Sequence, residues 1–203
     1  IIVAWMVMFF SAILVLLVAK VFSFSKEITG SLMLVAILGN TSFMGIPIVN
    51  AYMGESAIPY VLVYDQLGTF IALAIYGTFI ASYYSSKNQI TFKIITLKVL
   101  TFPPFISLVA ALFLMGVEFN PILSKVLASF SSTIVPMALV AVGLQLQFKL
   151  PKEDLKPFSI ALVIKLIIAP IFAIIICKIF SWDNEVSVVS IMESAMAPMI
   201  TAG

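Results

Sequence analysis

The sequence predicts an all-α polytopic membrane protein, and three observations carry that prediction. Of its 203 residues, 63% are hydrophobic and only 10% are charged. Mean hydropathy is +1.21. The apolar residues also fall in long continuous runs and do not alternate with polar ones. A soluble domain carries about 25% charged residues, and most of a globular surface of this size must face water. Water-soluble enzymes, nucleic-acid binders and disordered tails are therefore excluded. Continuous runs also exclude a β-barrel, whose strands alternate. The net charge of +2 implies no acidic partner. There is no histidine, and Cys177 stands alone in an apolar run, so no internal disulfide and no metal site is expected.

A spanning helix needs about 20 mostly apolar residues, and seven segments qualify: 1–22, 28–52, 57–84, 97–117, 121–147, 157–180 and 186–203. The first has neither a basic n-region nor a small-residue cleavage site, so it does not read as a signal peptide and is expected to be a span. It begins already apolar, and Met199 to Gly203 end inside another apolar run. Both features predict a fragment cut at its two ends, with the seventh span incomplete. The connections are short, and the longest, Ser85 to Thr96, holds Lys87, Asn88, Gln89 and Lys93. Every basic residue is lysine. Lys20, Lys26, Lys87, Lys93, Lys98, Lys149, Lys152 and Lys156 fall on one side, against Lys125 and Lys178 on the other. The excess marks the cytoplasmic side, so the first helix runs from outside to inside.

Two spans carry helix-breaking sequence. Residues 28–54 hold no charge yet contain Asn40-Thr41-Ser42-Phe43-Met44-Gly45-Ile46-Pro47. Proline lacks an N–H, its ring clashes with the carbonyl four residues back, and the residue before it is pushed out of helical geometry. Gly45 adds backbone freedom. A break is expected between Phe43 and Pro47, with Asn40, Thr41 and Ser42 on the turn before it. Non-helical backbone at this depth must be buried in protein or face water. In the seventh span, Glu193-Ser194-Ala195-Met196-Ala197-Pro198 repeats the pattern, and Pro198 frees the Ser194 carbonyl. The two spans cross in opposite directions. Paired interrupted helices of opposite orientation mark inverted-repeat transporters, and their half-helix N-termini favour anions. Taken singly, each kink is also ordinary for membrane helices, where Pro and Gly are common.

An ionisable group at mid-membrane costs about 2.5–3.5 kcal/mol on insertion scales. At 1.5 Å per residue, Asp65 lies about 12 Å inside its helix, Asn40 about 12 Å from the outer face and Glu193 about 10 Å from it. The three share one layer. Asp65 reads either as an ion-binding carboxylate or as half of an ion pair with Lys165. Lys165 neutralises an acid, attracts an anionic substrate, or snorkels toward the cytoplasm. Gln66 and Thr69 line the same cavity or bond a neighbouring helix. Pro103, Pro104, Pro136 and Pro170 are expected to bend their helices. No Walker motif is present, so ATP hydrolysis is not expected. An intramembrane protease needs two close carboxylates sharing a proton. Only Asp65 and Glu193 offer themselves, so no enzyme is expected. The functional reading is a secondary transporter for a small organic anion, coupled to H+ or Na+ through Asp65 or Glu193, with no other cofactor. A channel or a ligand-sensing membrane domain is the alternative.

Asn40 to Pro47 resembles the fourth-helix motif of the auxin efflux carrier family, which includes plant PIN carriers and bacterial malate or malonate permeases. Tyr64-Asp65-Gln66-Leu67-Gly68 resembles the next helix of the bacterial members, and Glu193 to Pro198 the ninth-helix motif. Ala141-Val142-Gly143-Leu144 is a weaker match to the end of the seventh. The resemblance implies seven helices, three to nine, of a ten-helix fold of two inverted five-helix repeats, with helices four and nine broken and crossing at mid-membrane. It implies a mobile transport domain, 1–84 and 148–203, moving against a scaffold, 85–147, by alternating access. Asn40, Thr41, Ser42, Gly45, Asp65, Gln66, Lys165 and Glu193 become candidates for binding substrate or ion, with Gly45, Pro47 and Pro198 at the breaks. It further implies a carboxylate substrate such as malate or malonate, and a homodimer. The short connection at 85–96 favours the bacterial branch, hence a bacterial inner membrane. Bile-acid and other organic-anion carriers share the fold, so fold alone names no substrate.

Overall fold

The computed structural model describes residues 1–85, 93, 96–97, 100–145 and 155–199. Lys87, Lys98, Lys149, Lys152, most of the 85–96 connection and residues 200–203 lie outside the described residues. Four described helices are long and apolar enough to cross a membrane: Ile2–Val21, Glu55–Ala81, Pro121–Leu144 and Leu155–Ile179. Apolar content without a strong polar face builds them. They bury through packing on one another and leave large hydrophobics exposed outward, among them Phe9, Leu17, Phe79 and Ile175, as lipid contact requires.

Helix α1 (Ile2–Val21) ends at a turn in which Ser23 has φ 51°. The Ser25 hydroxyl then accepts from Ile28 N and starts α2 (Lys26–Val35). Ten residues make a rod of about 15 Å, half a bilayer. After a non-helical crossing, Thr41–Gly45 form a wide π-helical turn that feeds α3 (Ile46–Met53), stopped by Gly54 at φ 83°. The next span runs through α4 (Ile58–Tyr64), π turns at Asp65–Phe70 and Leu73–Gly77, and α5 (Thr78–Ser85).

Pro103 and Pro104 occupy the first turn of α6 (Pro103–Phe113). They begin that helix and do not bend it, because a missing N–H is harmless where no intrahelical acceptor exists. Asn120 caps α7 (Pro121–Ser132), and α8 (Ile134–Gln145) follows after an irregularity at Thr133, three residues before Pro136. The Pro136 ring cannot sit against the Ser132 carbonyl of a regular helix, so here the expected disturbance occurs. The last full span joins α9 (Leu155–Val163), a π turn at Ile164–Ile168 and α10 (Ala169–Ile179). Pro170 cannot donate to Leu166, and the wider turn just ahead of it absorbs that loss without a break.

Ser181 at φ 52° turns the chain, and Asn184 accepts from Ser187 N at 3.0 Å to start α11 (Glu185–Ser194), again ten residues. This entry repeats the one into α2. Ser23 N bonds Lys20 O and Phe24 N bonds Ala19 O; Ser181 N bonds Lys178 O and Trp182 N bonds Cys177 O, at the same offset in sequence. The flanking rings stack in both copies, Phe22 on Phe24 and Phe180 on Trp182. A long helix, a tight turn and a ten-residue half-helix therefore occur twice. Lys20-Val21-Phe22-Ser23-Phe24 matches Lys178-Ile179-Phe180-Ser181-Trp182.

Three clusters of buried apolar side chains hold these units together. The largest joins α1, α2 and the Glu55–Ala81 span through Ala4, Met8, Val15, Leu32, Leu38 and Tyr64. Val3 and Val7 of α1 meet Ala169, Ala173 and Ile176 of α10. Val49, Val61 and Val189 join α3, α4 and α11. Helix α8 packs on Thr41–Gly45 and on α3. The two half-helices α2 and α11 thus end inside the protein.

Candidate functional site

The break in the first interrupted helix lies at residues 36–40, earlier than the Phe43–Pro47 stretch that the proline pattern marks. Helix α2 closes with Ala36 N on Leu32 O and Leu38 N on Leu34 O. Pro47 sits in the first turn of α3, and Gly45 is helical, at φ −60° and ψ −53°. Neither makes the break. Leu38 to Asn40 instead pair, strand-like, with the break of the other helix. Asn40 N bonds Ala197 O at 2.7 Å, and Met199 N bonds Leu38 O at 3.0 Å. Gly39 and Pro198 face each other in an antiparallel bridge. Each break supplies the backbone partners that the other lost, which is how non-helical backbone survives at this depth. Pro198 stands where sequence places it, just past the end of α11.

Asn40 caps the outer half-helix. Its Oδ1 accepts from Phe43 N at 3.1 Å, and it is 2% exposed. Its Nδ2 has no partner among the described residues, leaving one amide donor at the crossing. Asp65 is held by three donors. Its Oδ1 accepts from the Thr41 and Ser42 hydroxyls, the latter at 2.7 Å, and its Oδ2 accepts from Gln66 Nε2 at 2.6 Å. Asp65 therefore ties its own span to the first turn beyond the break.

Lys165 does not pair with Asp65, nor does it snorkel. It is 4% exposed, and its ammonium donates to Ile37 O at 3.4 Å. A Cβ built on Gly39 would lie 2.9 Å from Lys165 Nζ, so a larger residue at 39 would push the ammonium away. The C-terminal end of α2 carries partial negative charge and orphan carbonyls, and Lys165 neutralises it. Glu193 is wholly buried, in the last turn of α11, and neither carboxylate oxygen has a hydrogen-bond partner. Its carboxylate lies against Gly45, where an added Cβ would collide with it. Gln66 Oε1 is likewise buried and unpartnered. Ser194 turns its hydroxyl back onto Ile191 O.

The structure thus gathers Asn40, Thr41, Ser42, Gly45, Asp65, Gln66, Lys165 and Glu193 around one crossing. It separates Lys165 from Asp65, and it puts two carboxylates at the positive end of the outer half-helix, where the sequence alone suggested a vacant anion site. Gly39, as the seat of Lys165, escaped sequence reasoning; so did the π turns that hold Thr41, Asp65 and Lys165. Such turns recur at functional sites, and only the polar residues inside apolar spans hinted at them.

The profile of a family described as "Membrane transport protein" matches residues 1–203. The chain belongs to this family, the auxin efflux carriers. An uncharacterized transporter of Methanocaldococcus jannaschii is 29% identical over 193 residues, which cover 92% of this chain and 61% of that protein. Another, of Methanothermobacter thermautotrophicus, is 23% identical over 180 residues, covering 86% of this chain and 56% of that protein. The chain therefore spans less than two thirds of either relative. No solved structure matches it. A family of transporters, together with four apolar spans, makes this a multi-pass membrane protein.

Proposed function

We propose that this chain forms most of a secondary transporter for a small organic anion, a carboxylate such as malate or malonate. Supporting that reading above all is the crossing of two interrupted helices inside the protein, ringed by the buried Asp65, Lys165 and Glu193. Interrupted helices of this kind form midplane sites in secondary transporters. Asn40 Nδ2 offers the substrate a donor. Asp65 fixes the turn that carries Thr41 and Ser42. Residues 1–84 and 148–203 move as a transport domain against the scaffold of 85–147, in the cell membrane, as a homodimer. An anion arriving near Asp65 and Glu193 meets like charge, which is unfavourable in a medium of low dielectric. It is therefore carried together with a positive charge, H+ or Na+, and Glu193 is the group that takes it.

The test is uptake by the full-length protein in proteoliposomes. Malate, malonate, lactate and indole-acetate would be offered under imposed pH and sodium gradients. Accumulation of one of them above its equilibrium level is expected. Equilibration without accumulation would make the protein a facilitator, and no flux of any of the four would overturn the anion reading.

A further inference from the structure

The C-terminal end of α2 is shaped by donors from outside it. Ala36 N keeps its helical bond to Leu32 O, and Leu38 N keeps its bond to Leu34 O. Between them, Met33 O receives the Tyr76 hydroxyl, at 3.1 Å, in place of the Ile37 amide. An interior carbonyl left unpaired is costly, so a rung of the helix stays open only where another donor stands in. Tyr76 is that donor, and it comes from the Glu55–Ala81 span. With its amide off the ladder, Ile37 turns out of the helix, and its carbonyl meets the Lys165 ammonium at 3.4 Å.

The local backbone aims Tyr76 at this place. Among the described residues, three π turns lie outside the interrupted helices, and each carries a side chain bonded to the first of those helices. Asp65 bonds Thr41 and Ser42, Lys165 bonds Ile37 O, and Tyr76, in the turn Leu73–Gly77, bonds Met33 O. A π turn re-aims the residues around it and recurs at functional sites. Tyr76 thus shares its setting with two candidate site residues. Gly77 lets the span come close enough. An added Cβ there would lie 3.1 Å from Leu73 Cδ1 and 3.4 Å from Leu38 Cδ1, tighter than ordinary contact. A cavity of about 110 Å³ borders both Ile37 and Tyr76, so Ile37 has room to swing between an open and a closed rung.

We propose that Tyr76 is a positioning residue of the crossing: its hydroxyl holds the last rung of α2 open and thereby seats Lys165 on Ile37. The consequence for transport rests on the anion-transporter reading, but the position of the break does not, so the first test uses no substrate. Amide hydrogen exchange over residues 33–38 would be followed by mass spectrometry in the full-length protein. Tyr76→Phe keeps the ring and removes only the donor. Met33 O should then take Ile37 N, and exchange across the segment should slow. Plain loss of a stabilising bond predicts the opposite, so faster or unchanged exchange would overturn the proposal. The second test is uptake of labelled malate in proteoliposomes. Tyr76→Phe should raise KM about fivefold, the worth of one neutral hydrogen bond, with kcat held. Gly39→Ala pushes the ammonium off its seat directly. Adding Tyr76→Phe to it should raise KM little further, because both act on one contact. An unchanged KM in Tyr76→Phe, or effects that multiply in the double variant, would detach Tyr76 from Lys165 and overturn the seating. Slowed exchange in a protein that carries none of the four anions would instead sink the anion reading and leave the break where Tyr76 sets it.

Discussion

Gly45 and Glu193 share a space that holds one of them only because the other is small. Gly45→Ala drives a methyl group into a buried carboxylate. Overpacking of this kind costs about 1–3 kcal/mol, so its unfolding midpoint should fall. Gly143, in α8, has nothing within 4 Å of an added Cβ. There the same change removes only the helix penalty of glycine, about 1 kcal/mol, and the midpoint should hold or rise. If both variants behave alike, Glu193 does not rest on Gly45. Asn40 carries two roles that can be parted. Asn40→Ala removes the cap on Phe43 N and should cost about 0.5–2 kcal/mol of stability, with weakened substrate binding. Asn40→Ser keeps a capping oxygen but has no Nδ2 donor. It should restore most of the stability and none of the binding, as read from unfolding and from substrate-dependent uptake. Recovery of both would remove Asn40 from the substrate site.

At the scale of the helix, the cause of a break need not be its proline. Pro47 lies in the first turn of α3, and the break at 36–40 is held by bonds to the other interrupted helix. Pro47→Ala should therefore leave both transport and the unfolding midpoint close to those of the parent protein. A collapse of transport in that variant would return the break to Pro47. The existence of two breaks was legible, because Pro, Gly and polar residues inside apolar runs have no other common use. Their meeting was legible only through the resemblance of Asn40 to Pro47 and Glu193 to Pro198 to the family's two crossing helices; opposite direction alone does not bring two spans together. The exact position of the first was not. Leu38 and Asn40 are released from helix by partners on Ala197 and Met199, far away in sequence. The π turns were hidden for a related reason: a span apolar on every side gives no periodicity from which a one-residue slip could be read. The repeat was visible, but in five residues at the end of a full span and the turn after it, outside the interrupted helices where the polar residues draw attention.

Across the whole molecule, the three buried ionisable groups divide labour between holding the crossing and loading it. Asp65 joins the Glu55–Ala81 span to the turn at Thr41 and Ser42. Hydrogen bonds to a charged group are worth about 1.5–3 kcal/mol each, and Asp65 accepts three of them. Asp65→Asn should lower the unfolding midpoint and abolish both accumulation and exchange of labelled substrate. The Glu193 carboxyl makes no hydrogen bond, so its replacement by glutamine removes a group that can take up and release a cation and leaves the frame intact. With glutamine there, an anion no longer needs an accompanying cation to be held at the crossing. Glu193→Gln should abolish gradient-driven accumulation in proteoliposomes and spare the equilibrium exchange of labelled substrate across the same membrane. The reverse pattern, with normal accumulation in Glu193→Gln and accumulation alone lost in Asp65→Asn, would move the coupling role to Asp65. Normal accumulation in both would take coupling away from these carboxylates, because neither variant could then bind and release the ion that the gradient drives.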